Sequence, residues 1–473
     1  MTTVIEKQIA GPSFCMMQPS LLDSLANKYN KPVPRYTSYP TVPYWYEPFS
    51  LADWLPALQQ QFEASNQSHG ISLYVHLPFC ESLCTYCGCN KKITTNHRVE
   101  QVYLETLLKE WRMYLELLGA RPHIREMHFG GGTPTFFSPV NLRKLVDSIF
   151  EQAVRHPQFE FSIEGHPNNT TTPHLETLHS LGFRRISYGV QDNDPEVQHI
   201  INRIQPLEKV RRATEEARSV GFLSVNYDLV YGLPRQSMQG LRQTVQDVIA
   251  LRPDRIAFYS YAHVPWTSRG QRLFDENDLP SASEKLALYL EGRKLLTDAG
   301  YTDIGMDHYA LPGDALHEAW LAKTLHRNFM GYTTQQTKLL LGLGVSSISD
   351  AGFAFAQNHK NLTDYYRSVE SYQLPVSKGY CLTSEDMLFR RYILDVCCKG
   401  EVRFSDDHRE TLEAYTFPEL SMLESDGLVR WDATGTILTE QGRNFIRNVA
   451  RAFDLHLLRS TQAHSAPRFS NAV

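Results

Sequence analysis

Ile71-Ser72-Leu73-Tyr74-Val75-His76-Leu77-Pro78-Phe79-Cys80-Glu81-Ser82-Leu83-Cys84-Thr85-Tyr86-Cys87-Gly88-Cys89 decides how this chain folds. Its first seven residues are mostly β-branched, aromatic or aliphatic, the composition of a buried strand. Pro78 ends the run, and four cysteines fall within the next stretch, Cys80 to Cys89. Cys80, Cys84 and Cys87 are spaced C-x3-C-x2-C on the loop after the strand. Three thiolates can hold three irons of a [4Fe–4S] cluster, one cluster per chain, and leave the fourth iron open to a ligand. Two other chemistries use the same residues: a zinc site taking all four cysteines, or a closed electron-transfer cluster. Zinc ribbons show two separated C-x2-C knuckles, and the sequence has no second knuckle.

Downstream the same rhythm repeats. Short apolar segments at 71–77, 126–129, 160–163, 185–190, 225–231 and 256–260 alternate with helical patterns at about 98–118, 139–153, 174–181, 194–218, 237–250 and 284–299. The first helix carries Tyr103, Leu107 and Trp111 at i, i+4, i+8, a single apolar stripe. Repeated βα units imply a parallel sheet with right-handed crossovers. Six strands predict an α/β fold, a partial (β/α)6 TIM-like barrel rather than a closed eightfold one. Such folds gather chemistry at the carboxyl ends of strands. The cysteine loop, Gly130–Thr135, Glu164, Gln191 and Asp228 all sit there.

Residues 1–70, with Pro32, Pro34, Pro40, Pro43, Pro48 and Pro56 among aromatics, read as an N-terminal arm poor in regular structure. Residues 71–375 read as the barrel and its extension. Residues 376–473 read as a mostly helical, winged-helix-like C-terminal domain with a small hairpin and a helix at about 440–458. The other cysteines, Cys15, Cys381, Cys397 and Cys398, are scattered, which does not suit a disulfide framework.

Of 473 residues, 42% are hydrophobic and 21% charged, enough for a sizeable core. Lys plus Arg is 47 against 52 for Asp plus Glu, a net charge of −5. A global polyanion-binding surface is excluded, so no nucleic-acid partner is expected, although a local basic pocket is compatible. No apolar run approaches a bilayer span and Met1–Lys7 lacks a secretory pattern, so the expected location is cytoplasmic.

The C-x3-C-x2-C segment resembles the signature of the radical S-adenosylmethionine (SAM) superfamily. The longer string is similar to the oxygen-independent coproporphyrinogen III oxidases, also called coproporphyrinogen III dehydrogenases. Further blocks occur in that family's order: Arg35–Thr41, Gly130–Thr135, Gly189–Asp192, Asp228–Pro234, Gly305–His308 and His326–Thr334. The resemblance implies a barrel of the radical SAM type, one [4Fe–4S] cluster and two SAM molecules. It implies that SAM is split at the cluster and that the resulting radical takes hydrogen from a propionate β-carbon of coproporphyrinogen III. Two propionates become vinyl groups with loss of CO2, giving protoporphyrinogen IX for haem synthesis. An electron donor such as flavodoxin or ferredoxin and a monomeric state are also implied.

Carried over residue by residue, the family pattern makes Cys80, Cys84 and Cys87 the metal ligands, and His76 and Cys89 catalytic, with Cys89 near the cluster but not a ligand. Tyr74 and His76, expected on alternate sides of their strand, would flank the cluster. Tyr74, Gly131, Glu164 and Ile348 would contact the first SAM. Tyr86, Gly132, Thr133, Gln191, Arg203, Asp228 and Ala262 would line the second. His308, His326 and Arg327, with Arg35 in the arm, would meet the propionates. After Glu164 the family's Asp-Pro-Arg is replaced by His166-Pro167-Asn168. Relatives with the same signature act as haem chaperones or on intact haem. Cys89 and the Gly305–His308 block favour the dehydrogenase.

Overall fold

The computed structural model describes residues 19–462 and 469–472; Cys15 lies outside them. The strands of interest are β1 (Ile71–Leu77), β2 (His123–Gly131), β3 (Val154–Gly165), β4 (Phe183–Gln191), β5 (Ser224–Tyr231), β6 (Arg255–Ser260), β7 (Thr302–Gly305) and β8 (His308–Ala310). They continue with β9 (His326–Asn328), β10 (Gly331–Thr333), β11 (Leu340–Leu343), β12 (Ile348–Asp350), β13 (Ala354–Asn358), β14 (Val376–Cys381), β15 (Glu401–Arg403), β16 (Val429–Asp432) and β17 (Gly435–Leu438). One 12-stranded sheet runs β14-β13-β12-β11-β1-β2-β3-β4-β5-β6-β8-β7.

The six expected strands are all present, side by side in chain order and parallel. A seventh, β11, pairs in parallel with β1, Tyr74 opposite Gly342. Its sequence, Leu340-Leu341-Gly342-Leu343, is short and glycine-interrupted, so periodicity gives it no signal. Antiparallel strands finish both edges. Buried apolar side chains from β1 to β6 and from the covering helices form one continuous core. Tyr103, Leu107 and Trp111 of the helix Val99–Leu118 all lie in it.

Three expectations are corrected. The segment 1–70 is not simply irregular: within it lie the helices Pro19–Tyr29 and Leu51–Ser65, the second containing Pro56. Ser50 caps that helix, and burying Trp54, Leu58 and Phe62 at about 2–3 kcal/mol each outweighs the ~3 kcal/mol that an interior proline costs. The helix expected at 194–218 is two, Pro195–Ile200 and Leu207–Val220. Asn202 at φ 51° and Pro206 break it, and the connector carries Arg203. The helix expected at 440–458 is three pieces, Glu440–Arg443, Ile446–Arg451 and Leu455–Gln462.

The division placed at 375/376 falls just before β14, which pairs with β13, so the sheet continues across it. Beyond it, the expected hairpin β16–β17 gains a third strand, β15, and packs among helices. Among the described residues no helix is long and apolar enough to cross a membrane.

Candidate functional site

The carboxyl ends of β1 to β6 open onto one cavity of about 1090 Å³. Its wall contains Cys80, Cys84, Tyr86, Cys87, Cys89, Gly131, Gly132, Thr133, Glu164, Gln191, Arg203 and Asp228. Twelve of the sixteen residues expected to hold the cluster or SAM or to act in catalysis therefore meet in one place; Tyr74, His76, Ala262 and Ile348 are not on that wall, nor are the expected propionate contacts Arg35, His308, His326 and Arg327.

The cysteine loop is pinned from beneath by the glycine strap after β2. Gly132 N–H donates to the Leu77 carbonyl and Thr133 N–H to the Phe79 carbonyl, both at 2.9 Å. Thr133 also donates its hydroxyl to Cys80 Sγ at 3.3 Å. An added Cβ at Gly132 would sit 2.6 Å from Pro78 backbone atoms, and one at Gly131 would meet the His76 ring at 2.6 Å. Only glycine lets these two backbones approach so closely.

Tyr74 and His76 share a face of β1 and touch, which corrects the expectation of alternate sides: residues i and i+2 of a strand point the same way. Tyr74 donates its hydroxyl to His76 Nδ1 at 3.1 Å, and His76 Nε2–H donates to the Asn90 carbonyl at 2.9 Å. His76 is thus buried behind Gly131, tethering the far end of the cysteine loop. Burial holds its imidazole below the usual range. Ala262 lies behind Tyr86, since Gln271 Nε2 donates to the carbonyls of both, at 3.1 and 2.8 Å. Ile348 begins β12 and packs against the Trp45–Phe355–Tyr380 cluster.

Two carboxylates face the cavity with opposite tendencies. Burial alone would raise Glu164, but His128 beside it and the Gly131 N–H (3.1 Å) prevail and hold it below the usual carboxylate range. Asp228 is pushed up to about 6, by burial first and then by the charge of Glu164, although Ser187 and Asn226 donate to it at 3.0 and 2.9 Å. Arg203 donates to the Gly189 carbonyl at 2.6 Å and reaches Cys84 Sγ at 3.5 Å, while its buried Nε has no partner. Gln191 closes β4 at φ 67°, next to a break in register against β5, which re-aims its side chain. His166 joins the wall, its Nδ1 accepting the Asn168 N–H at 3.1 Å. Burial, then Arg203 and Lys209, depress its pKa to about 2.

The donor set suits an iron–sulfur cluster with an organic cation beside it. Three thiols share one open wall with Glu164 and Asp228 as carboxylates on it, Arg203 reaches Cys84 Sγ, and the cavity holds more than the cluster alone. Sequence reasoning missed Lys91, Ser268 and Gln271. Lys91 Nζ and Ser268 Oγ both donate to the Cys87 carbonyl at 3.0 Å. Lys91 lies two residues past Cys89 and was legible by proximity; Ser268 and Gln271 come from a patternless loop some 180 residues on.

Comparison with known proteins agrees with this geometry. The Radical SAM superfamily model matches residues 74–248. The oxygen-independent coproporphyrinogen III oxidase of Pseudomonas aeruginosa is 40% identical over 92% of this chain and 95% of its own length. That of Escherichia coli is 39% identical over 92% and 95%. The solved structure of coproporphyrinogen III oxidase (HemN) from Escherichia coli, described as a radical SAM enzyme, superposes with a TM-score of 0.84. It is 38% identical, over 89% of this chain and 97% of that one.

Proposed function

The chain belongs to the oxygen-independent coproporphyrinogen III oxidases, and on that premise we propose that it converts two propionates of coproporphyrinogen III to vinyl groups with loss of CO2. The observation that carries the reading is the meeting of the three-cysteine loop, the glycine strap, Glu164, Arg203 and Asp228 on one cavity. Cys80, Cys84 and Cys87 would hold three irons of a [4Fe–4S] cluster, with Cys89 beside Cys87 as a non-ligand. When bound, cluster and SAM supply the one-electron chemistry that removes hydrogen from the propionate β-carbon.

The chain's own residues bind and orient. The glycine strap, carrying no side chains, lets the amine and carboxylate of a SAM molecule approach its backbone closely. Glu164, held ionised, accepts from ribose hydroxyls or an ammonium. Asp228, Gln191 and Arg203 form a second polar group across the cavity, which supports two SAM molecules rather than one. His76 and Tyr74 act from behind, fixing the loop rather than touching a ligand. A one-electron donor protein completes the set of partners.

Anaerobic turnover tests this. Reconstituted protein with SAM and a reductant should convert coproporphyrinogen III to protoporphyrinogen IX, read by fluorescence after oxidation. Turnover of intact haem, without any of coproporphyrinogen III, would replace the reading with a haem-acting one.

A further inference from the structure

The chain just after the four cysteines is clamped on both flanks of Lys91. The Asn90 carbonyl accepts from His76 Nε2–H at 2.9 Å, and the Asn90 side-chain amide donates to the Lys360 carbonyl, also at 2.9 Å. Lys92 N–H donates to the Pro78 carbonyl at 2.8 Å, and Thr94 N–H to the Cys80 carbonyl at 2.9 Å. The backbone that carries Lys91 is thus fixed against the end of β1 and the first cysteine, which fixes where its side chain starts.

That side chain folds back over the loop, is half-buried, and joins the wall of the main cavity. Its ammonium donates to the Cys87 carbonyl at 3.0 Å, and the Ser268 hydroxyl donates to the same oxygen at 3.0 Å. Three carboxylates share the wall, and each has partners elsewhere. Glu81 faces His97 at 3.9 Å, Glu164 lies 3.5 Å from His128 and accepts the Gly131 N–H, and Asp228 accepts from Ser187 and Asn226. Among the described residues none forms an ion pair with Lys91. An ammonium held on a neutral carbonyl keeps its full positive charge, whereas one paired with a carboxylate presents little net field.

We propose that Lys91 sets the reduction potential of the cluster: its unneutralised charge, held on the carbonyl of a ligand cysteine, favours the one-electron-reduced state and eases electron entry from the donor protein. This rests on the functional reading above. Net charge and hydrogen bonding around the ligands are the protein's means of adjusting such potentials. Reduction adds one negative charge to the cluster, so a fixed cation stabilises the reduced form more than the oxidised one. A unit charge about 8 Å from a redox centre, at an effective dielectric of about 20, changes that equilibrium roughly thirtyfold. Half-burial and salt screen part of this, leaving about tenfold. Lys91 touches no reacting atom and acts through Cys87, so it is a positioning and tuning residue. A strut for the loop needs only the hydrogen bond; tuning needs the charge.

A mediated redox titration of the reconstituted protein without SAM, followed by the electron paramagnetic resonance of the reduced cluster, separates the two. Lys91→Met and Lys91→Gln remove the charge, Lys91→Arg keeps it, and Ser268→Ala removes the uncharged donor to the same oxygen. At the parent's midpoint, both neutral variants should shift the oxidised-to-reduced ratio about tenfold toward oxidised, a midpoint 59 mV lower for one electron. Lys91→Arg should stay within about threefold of the parent, and Ser268→Ala should shift less than either neutral variant. Iron content and melting temperature should match the parent throughout. A parental midpoint in both neutral variants overturns the proposal, as does a shift in Lys91→Arg or Ser268→Ala as large as in Lys91→Met. Neutral variants that hold no cluster would make Lys91 a strut and overturn it equally. A parent without a reducible cluster would overturn the functional reading itself, whatever residue 91 does.

Discussion

Gly132→Ala puts a methyl group where the structure has backbone. The new Cβ would lie 2.6 Å from both Pro78 C and O and 2.9 Å from Phe79 O. No side chain can swing away to relieve this, so strap and cysteine loop must separate. Overpacking of this kind costs about 1–3 kcal/mol. The two strap-to-loop hydrogen bonds, Gly132 N–H to Leu77 O and Thr133 N–H to Phe79 O, are worth about 1 kcal/mol each and weaken with it. A loss of about 2–4 kcal/mol follows, concentrated at the base of the cluster loop. Gly88→Ala is the control: it lies between Cys87 and Cys89, and its added Cβ meets nothing within 4 Å. Iron content and visible absorption after anaerobic reconstitution, with thermal melts of both variants, are the assay. Gly132→Ala should lose most of its iron and melt earlier, whereas Gly88→Ala should resemble the parent. A Gly132→Ala protein with full cluster and a parental melt would refute the argument that backbone contact there forbids a side chain.

Cys80→Ser, Cys84→Ser and Cys87→Ser should each abolish visible cluster absorption while Cys89→Ser keeps it; iron collapse in the Cys89 variant would make it a ligand. Equilibrium binding should count two SAM sites, with Asp228→Ala weakening one by about 1–3 kcal/mol; one site in the parent would sink the assignment. Glu110, fully buried and held to about 7 against an ordinary 4.5 by burial, stabilises the fold most below about 4.5 and loses that contribution as pH rises through 7. Glu110→Gln should flatten the fall in melting temperature over that window, by an amount reaching about 3 kcal/mol at most; parallel curves for parent and variant would contradict this. Arg447→Ala removes the grip on Val33 and Pro34, so limited proteolysis should cut before residue 50 faster than in the parent.

The sheet was legible because β1 to β6 are apolar, bounded by turns and spaced by amphipathic helices. The cysteine loop, Glu164 and Gln191 were legible because each lies at the end of one of those strands; Asp228 sits inside β5, before Leu229-Val230-Tyr231, and was legible only through the Asp228–Pro234 block. Helical spacing on both sides of Arg203 runs one helix through it, although Pro206 is a break visible in the sequence. The other cause is Asn202 in the left-handed region, a backbone conformation that periodicity does not report. The arm's second helix was hidden by Pro56, whose local cost is outweighed by burial that only the assembled fold provides.

The bridge between Pro32 and Asn471, clasped by Arg447, joins segments separated by more than four hundred residues. At synthesis rates of about 5–20 residues per second, the second segment emerges roughly 20–90 s after the first. The barrel strands and their cysteine loop are complete long before then, while the arm beside Arg35 still lacks the Arg447 clasp. The order of translation thus leaves an interval in which the loop is formed and the arm is not yet clasped. Assembly of the metal centre and sealing of the arm are separated in time, the first open to the cell's delivery machinery and the second waiting on residues 447–472.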